Sequence, residues 1–405
     1  MSSGAFGGRF DPASPNAPQG FAPGEIPLGI DVPADAGFSA DGDSAADAAS
    51  PADTVLAAGA RIRRDRIALG GGEADCGGIS GLVVHPAHRG DGLFGQLLRG
   101  VLARCAEEGM ALSMLYPSNP EIYRGHGYQV VARVESLLVP LLDLQRLQPV
   151  PGRRTLAVTE ATMPRVRALY EELTAGDNGM LRRIGPFFPP GLPGQGWCAV
   201  LLVDEAGRDR GYVSWTRRVG QEEPGLDVHE LLGRDREDRL ALLRVLGSWS
   251  TVTEQIRLRV RSEDPVLDVL PSGRTRPAPG PVPLVMTRVV DTAALLAARP
   301  APAGLDGAFR LVVDDDTASA GTCPAAGTFD VAISDGTVST TPSAAAPSAL
   351  PIVRLDAHAA ALLLTGGRSL ADARRLGLRA EADPAAGALL DALAAGPRPS
   401  VLDAF

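Results

Sequence analysis

The period of the apolar positions changes along this chain of 405 residues. Ile79 to Val84 is a short apolar run rich in β-branched residues, bounded by Gly78 and Pro86, and it predicts a strand. Beyond the turn HPAHRGDG, apolar residues recur at spacings of three and four: Leu93, Phe94, Leu97, Leu98, Val101, Leu102 and Cys105. They share one face of a helix, with Gln96, Arg99 and Arg104 off it and Gly109 as a stop. Leu112 to Tyr116 reads as a second short strand, and Arg133 to Pro140 alternates as another. Upstream, Arg61 to Leu69 alternates in part and ends in a glycine turn, which predicts a strand leading into Ile79.

A second unit spans 151–290. Leu156–Val158, the pair Trp197–Val203 and Arg210–Thr216 around DEAGRD, Leu226–Leu232 and Ile256–Val260 are its strands. Thr162–Thr174 and Arg236–Ser250 are its helices, and no glycine loop precedes the latter. A third unit, 291–405, carries strands at Gly307–Val313, Gly327–Ser334 and Thr337–Thr341, with the turn SDGT between the last two. Helices follow at Ala357–Thr365, Ser369–Leu376 and Pro384–Leu393. Residues 1–54 are Gly, Ala, Pro, Ser and Asp with little periodicity. Such a segment buries too little apolar surface to offset its ordering entropy and is expected to be disordered or loosely packed.

A chain of this length implies two or three domains. The net charge of −9 argues against a nucleic-acid binder, whose phosphate contacts need a basic face, and suits cationic partners. Cys76, Cys105, Cys198 and Cys323 lie far apart with no CxxC pair, so neither a zinc site nor a disulfide framework is expected, and no metal. No apolar window is long enough for a membrane span and the N-terminus lacks a signal-peptide pattern, so the expected location is cytoplasmic. His85, His88 and His126 show no metal-ligand spacing and are expected to be turn-surface residues. No GxSxG element or P-loop appears.

A strand that passes through a glycine-bearing turn into a helix N-terminus makes an anion site, because the first-turn amides lack partners inside the helix. The segment HRGDGLFG resembles the acyl-CoA pyrophosphate loop of the GNAT acetyltransferases, in the frame Arg89, Gly92, Phe94, with an imperfect last position. VVHPAHRxxGL followed by SxxxIYRGxGY is more specific and resembles the Eis (enhanced intracellular survival) family of multi-domain N-acetyltransferases. The resemblance runs from about residue 79 to the end and is poor before it.

That resemblance implies an α+β (α/β-like) chain: a GNAT domain with the acetyl-CoA site at 55–150, a second GNAT-like domain without a cofactor loop at 151–290, and a sterol-carrier-like domain at 291–405. It implies that the amides of Leu82, Val83 and Val84 polarise the acyl oxygen. The pyrophosphate would rest on Arg89, Gly90, Asp91, Gly92, Leu93, Phe94 and Gly95, and Ser118 and Asn119 would flank the pantetheine arm. Asp91 departs from the basic residues common in such loops and would weaken binding unless it points to solvent. Tyr123 matches the general acid, and the carboxylate of Phe405, ending SVLDAF, the general base. The implied acceptors are cationic amines, aminoglycoside-like or lysine side chains, and the implied assembly a homo-oligomer, trimer or hexamer. Two alternatives stay open: a GNAT using another acyl-CoA on a biosynthetic amine, and a non-catalytic binding protein of the same fold.

Overall fold

The computed structural model describes residues 22–33, 54–218, 225–343 and 349–403. In chain order its strands begin with β1 (Glu25–Pro33), β2 (Thr54–Leu69), β3 (Gly72–Val84), β4 (Leu112–Leu115), β5 (Gln129–Arg133) and β6 (Glu135–Pro140). The middle of the chain supplies β7 (Arg153–Ala157), β8 (Asn178–Leu181), β9 (Trp197–Asp204), β10 (Asp209–Arg218), β11 (Gly225–Gly233), β12 (Gln255–Val260), β13 (Arg276–Pro277) and β14 (Leu284–Val289). The last five are β15 (Gly307–Asp314), β16 (Gly327–Ser334), β17 (Thr337–Pro342), β18 (Ile352–Asp356) and β19 (Ala380–Ala382). The α-helices are α1 (Leu93–Glu107), α2 (Pro120–Arg124), α3 (Leu141–Gln145), α4 (Met163–Leu173), α5 (Arg236–Gly247), α6 (Thr292–Ala297), α7 (Ala357–Leu364), α8 (Leu370–Arg375) and α9 (Pro384–Leu393).

These strands form three sheets. The first runs β1-β2-β3-β4-β14-β5, with β8 also on β2; the second runs β13-β6-β12-β11-β10-β9-β7; the third runs β17-β16-β15-β18-β19. Helix α1 lies on one face of the first sheet. Its Leu97, Leu98, Val101, Leu102 and Cys105 are buried against Ala58, Ala60, Ile62 and Ile79. Burying side chains of this size stabilises by roughly 1.5–3 kcal/mol each. The close approach needs Gly77, where a Cβ would lie 2.7 Å from the Cys105 sulfur. β3 starts at Gly72 and passes through Gly77 and Gly78, well before the Ile79 start expected from the apolar run. Near β4, β14 and β5 the apolar side chains of the first sheet join the third unit in a single core, in which Met114, Val131 and Val285 pack with Phe309, Leu311 and Leu363.

Three expectations are corrected here. Residues 25–33, placed in an unstructured N-terminal stretch, form β1, paired antiparallel along β2 from Glu25↔Arg63 to Pro33↔Thr54. Ile26 is buried and Leu28 and Ile30 pack against the α1 core. Pro27 and Pro33 are tolerated because β1 is an edge strand with one unpaired side. The second correction concerns β6, expected to close the first unit; it pairs with β12 and β13 in the second sheet. Third, β14, inside the stretch assigned to the second unit, inserts between β4 and β5 of the first sheet. The two sheets therefore exchange strands in sequence. Residues 1–21 and 34–53 lie outside the described residues.

Candidate active site

The glycine loop and the start of α1 are arranged to hold an anion. Gly90 and Gly92 adopt φ of +102° and +76°, a left-handed backbone that residues with a Cβ avoid. A Cβ built at either would meet nothing within 4 Å, so the backbone is open on that side. Gly92 is the N-cap of α1 and supplies no side-chain cap, which leaves the first-turn amides of Leu93, Phe94 and Gly95 to an outside acceptor. Arg89 is exposed and has no carboxylate partner among the described residues. The Asp91 side chain is 61% exposed, with its carboxylate 3.6 Å from the His88 ring. These residues fit the pyrophosphate of an acyl-CoA.

Directly upstream the sheet opens. β3 and β4 pair in parallel only from Cys76↔Leu112 to Ile79↔Leu115. β4 ends there while β3 continues to Val84. Against β2, β3 slips register between Gly59 and Arg61, where Gly81, at φ +59°, sits in a bulge. Among the described residues Ser80–Val84 therefore have no strand on the β4 side. His85 donates its amide to the Ala57 carbonyl of β2 at 2.7 Å, so by the alternation along a strand Val83 also faces β2 and the Val84 amide is left on the open side; Leu82 and Val84 line the α1 core.

Tyr123 belongs to the same core, on the short helix α2. Asn119 caps that helix by accepting from the Glu121 amide at 3.1 Å. The Tyr123 ring is only 6% exposed and makes edge contacts with Phe94 and Tyr128 at centroid distances of 5.5 and 6.0 Å. Burial pushes its phenol above the ordinary value, with a hydrogen bond to Ser118 acting the other way, so it stays protonated through the neutral range. His126, expected on the surface, is 7% exposed. Its Nδ1 is 2.7 Å from the Ser319 hydroxyl, and its ring is edge-on to Phe94. Burial and the nearby Arg99 and Arg288 lower its pKa and keep it neutral. The third unit supplies Ser319, a partner that local sequence does not reveal.

The chain's last described residues run back from the third unit between the first two sheets. Ser400 donates its amide to the Asn178 carbonyl at 2.8 Å, Leu402 accepts from Arg259 at 2.8 Å, and the Asp403 carbonyl accepts from the Tyr116 phenol at 2.7 Å. Tyr116 follows β4, at the mouth of the split. Its phenol is pushed up to about 12, mainly by burial and then by the Asp403 charge. The Asp403 carboxylate is 3.0 Å from Arg183, which also bonds Glu230 and stacks on Tyr170 at 3.8 Å. Burial raises Asp403, and Glu230 adds to this while Arg183 offsets it. Burial also works to raise Glu230, yet Arg183 and the Tyr212 hydrogen bond hold it below its ordinary value. Phe405 lies outside the described residues.

A cavity of about 420 Å³ adjoins this tail, reached by Arg63 of β2 and walled chiefly by the second unit, among them Tyr170, Phe188, Trp197, Ser214 and Arg259. None of these was singled out from the sequence. The one available signal is QIRLRV, an alternating strand whose outward positions are Gln255 and two arginines, Arg257 and Arg259.

The counterpart helix in the second unit, α5, has a different N-terminus. Asp235 caps it by accepting from the Asp238 amide at 2.9 Å, and Arg153 and Arg210 neutralise the fully buried Asp238. The chain's own carboxylates fill the place that an outside anion would need.

Comparison with known proteins identifies the domains. Models of acetyltransferase (GNAT) domains match residues 51–131 and 179–289, and a sterol carrier protein domain model matches 292–402. The chain carries two acetyltransferase (GNAT) domains followed by a sterol carrier protein domain, the domains of an N-acetyltransferase. Its architecture is Eis-like. A GCN5-related N-acetyltransferase from Kribbella flavida is 27% identical, with a TM-score of 0.73 over 87% of this chain and 86% of that one. One from Anabaena variabilis is 21% identical, with a TM-score of 0.75 over 86% and 87%. Eis1 from Mycobacterium abscessus is 20% identical, with a TM-score of 0.66 over 87% and 89%, and shares the fold. No curated protein matches the sequence. Among the described residues no cluster of three or more metal-ligating side chains occurs, and no helix is long and apolar enough to cross a membrane.

Proposed function

We propose that the chain transfers an acetyl group from acetyl-CoA to an amine at the split between β3 and β4. The observation that carries this reading is that one opening is flanked by three things: the uncapped α1 terminus, the buried phenol of Tyr123, and the returning tail at Tyr116. Within Leu82, Val83 and Val84, the expected acyl-polarising stretch, the amide on the open side is that of Val84, and it polarises the acyl oxygen. Tyr123 gives its proton to the departing thiolate, for which a neutral phenol is required. The carboxylate of Phe405, two residues beyond Asp403, accepts the proton of the attacking amine. Ser118 and Asn119 border the pantetheine arm, and the second unit binds no acyl-CoA because α5 caps itself.

The acceptor range brought by the resemblance is cationic amines, aminoglycoside-like or lysine side chains. A cytoplasmic homo-oligomer, trimer or hexamer, belongs to the same reading. Calorimetry with acetyl-CoA, followed by thiol release on adding an amine, tests it. Binding with amine-dependent release supports it, and absence of acetyl-CoA binding at millimolar ligand overturns it in favour of a non-catalytic protein of the same fold.

A further inference from the structure

Resting on that reading of the split as the acyl site, we infer that the acceptor bears a carboxylate beside its amine, bound in the cavity next to the tail by Arg259 and Ser214. The cavity holds about 420 Å³, enough for an amino-acid-sized molecule. Its two acids, Glu230 and Asp403, are already engaged by Arg183. They offer a polycation little unpaired negative charge. Arg259 is in the opposite situation: its guanidinium donates to the Leu402 carbonyl and has no carboxylate within ion-pair distance among the described residues. Guanidinium–carboxylate pairing is the favoured use of such a fork.

Ser214 supplies a second, independent observation. It is 1% exposed, it lines this cavity, and its hydroxyl has no hydrogen-bond partner. A buried hydroxyl left unpaired costs on the order of 1–3 kcal/mol, and a ligand oxygen satisfies it. His229, between β10 and β12, is kept neutral by burial and by Arg259, so it does not compete for the anion, and its Nε2 is 3.1 Å from the Thr216 hydroxyl. Phe188 and Trp197 add an aromatic wall. The amine end faces Asp403 and the tail, where proton acceptance is needed.

The test compares L-phenylalanine, 2-phenylethylamine (the same molecule without the carboxylate) and spermidine. Each is titrated calorimetrically into the full chain without acyl donor, then assayed with acetyl-CoA. The expected result is binding of L-phenylalanine at least tenfold tighter than 2-phenylethylamine, with the difference abolished in Arg259→Gln and reduced several-fold in Ser214→Ala. The serine variant breaks no protein hydrogen bond and so keeps the test informative if the arginine variant folds poorly. Equal or tighter binding of 2-phenylethylamine or spermidine, or no binding of L-phenylalanine, overturns the inference. The transferase reading fails instead on absent acetyl-CoA binding, which is measured without any of the three amines, so the two failures are distinct.

Discussion

The Tyr116 phenol donates a 2.7 Å hydrogen bond to the main-chain carbonyl of Asp403, joining residues 287 positions apart. This bond ties the last described residues to the residue that follows β4, one side of the acyl split. Tyr116→Phe removes about 1 kcal/mol of that attachment. It is expected to lower kcat several-fold, and deletion of Phe405 by roughly 10²-fold, the scale of a lost general base. Steady-state kinetics with a saturating amine decides: unchanged kcat after Phe405 deletion rules out the base role.

Tyr123→Phe keeps the ring contacts with Phe94 and Tyr128 and removes the phenol hydroxyl with its hydrogen bond to Ser118. The expected loss in kcat is about 10²–10³-fold with acetyl-CoA affinity nearly unchanged. Because burial raises the phenol above its ordinary value of 10.0, the wild-type alkaline limb lies above pH 10. A pH–rate profile of the variant lacks that limb.

Gly92 and Gly109 have nearly the same left-handed φ, +76° and +74°, with open space around each. Alanine at either position costs about 1–2 kcal/mol of backbone strain. Only Gly92 lies at the α1 N-terminus. Gly92→Ala is expected to raise the KM for acetyl-CoA about tenfold, and Gly109→Ala to leave it unchanged at a similar drop in Tm. A parallel rise in both variants would detach the loop from cofactor binding.

Ser369 and Asp372 form a reciprocal cap at the start of α8. Amide and hydroxyl bonds from Ser369, helped by Arg375, depress the Asp372 carboxyl from 3.8 to about 2. A depressed carboxyl stabilises the fold above its unfolded pKa and loses that contribution as pH falls through its folded pKa. Asp372→Ala therefore costs about 1 kcal/mol at neutral pH, and the gap to wild type closes between pH 4 and pH 2. Thermal melts across that range check it.

Local sequence carried the elements whose signals are themselves local. The seven apolar positions of α1, the glycines at its start and the turn before Tyr123 each follow from neighbours within a few residues. β1 escaped because two prolines and a glycine mask three apolar side chains whose burial depends on α1, some seventy residues later. Strand exchange escaped because LVMTRV carries no mark of the sheet it joins. Ser214 and Arg259 escaped for a related reason: an unpaired hydroxyl and a carboxylate-free guanidinium are properties of surroundings, not of residue type.

The position of β14 bears on how the molecule is made. With β14 absent, β4 presents a bare edge, and β5 loses its place in the sheet. A ribosome must therefore have released residues up to Val289 before the first sheet can close. Cutting the gene after the first acetyltransferase match, at residue 131, would yield a fragment with an open, adhesive border instead of a smaller enzyme. The two catalytic-type units are indivisible as parts, and any engineered exchange between relatives has to move them together.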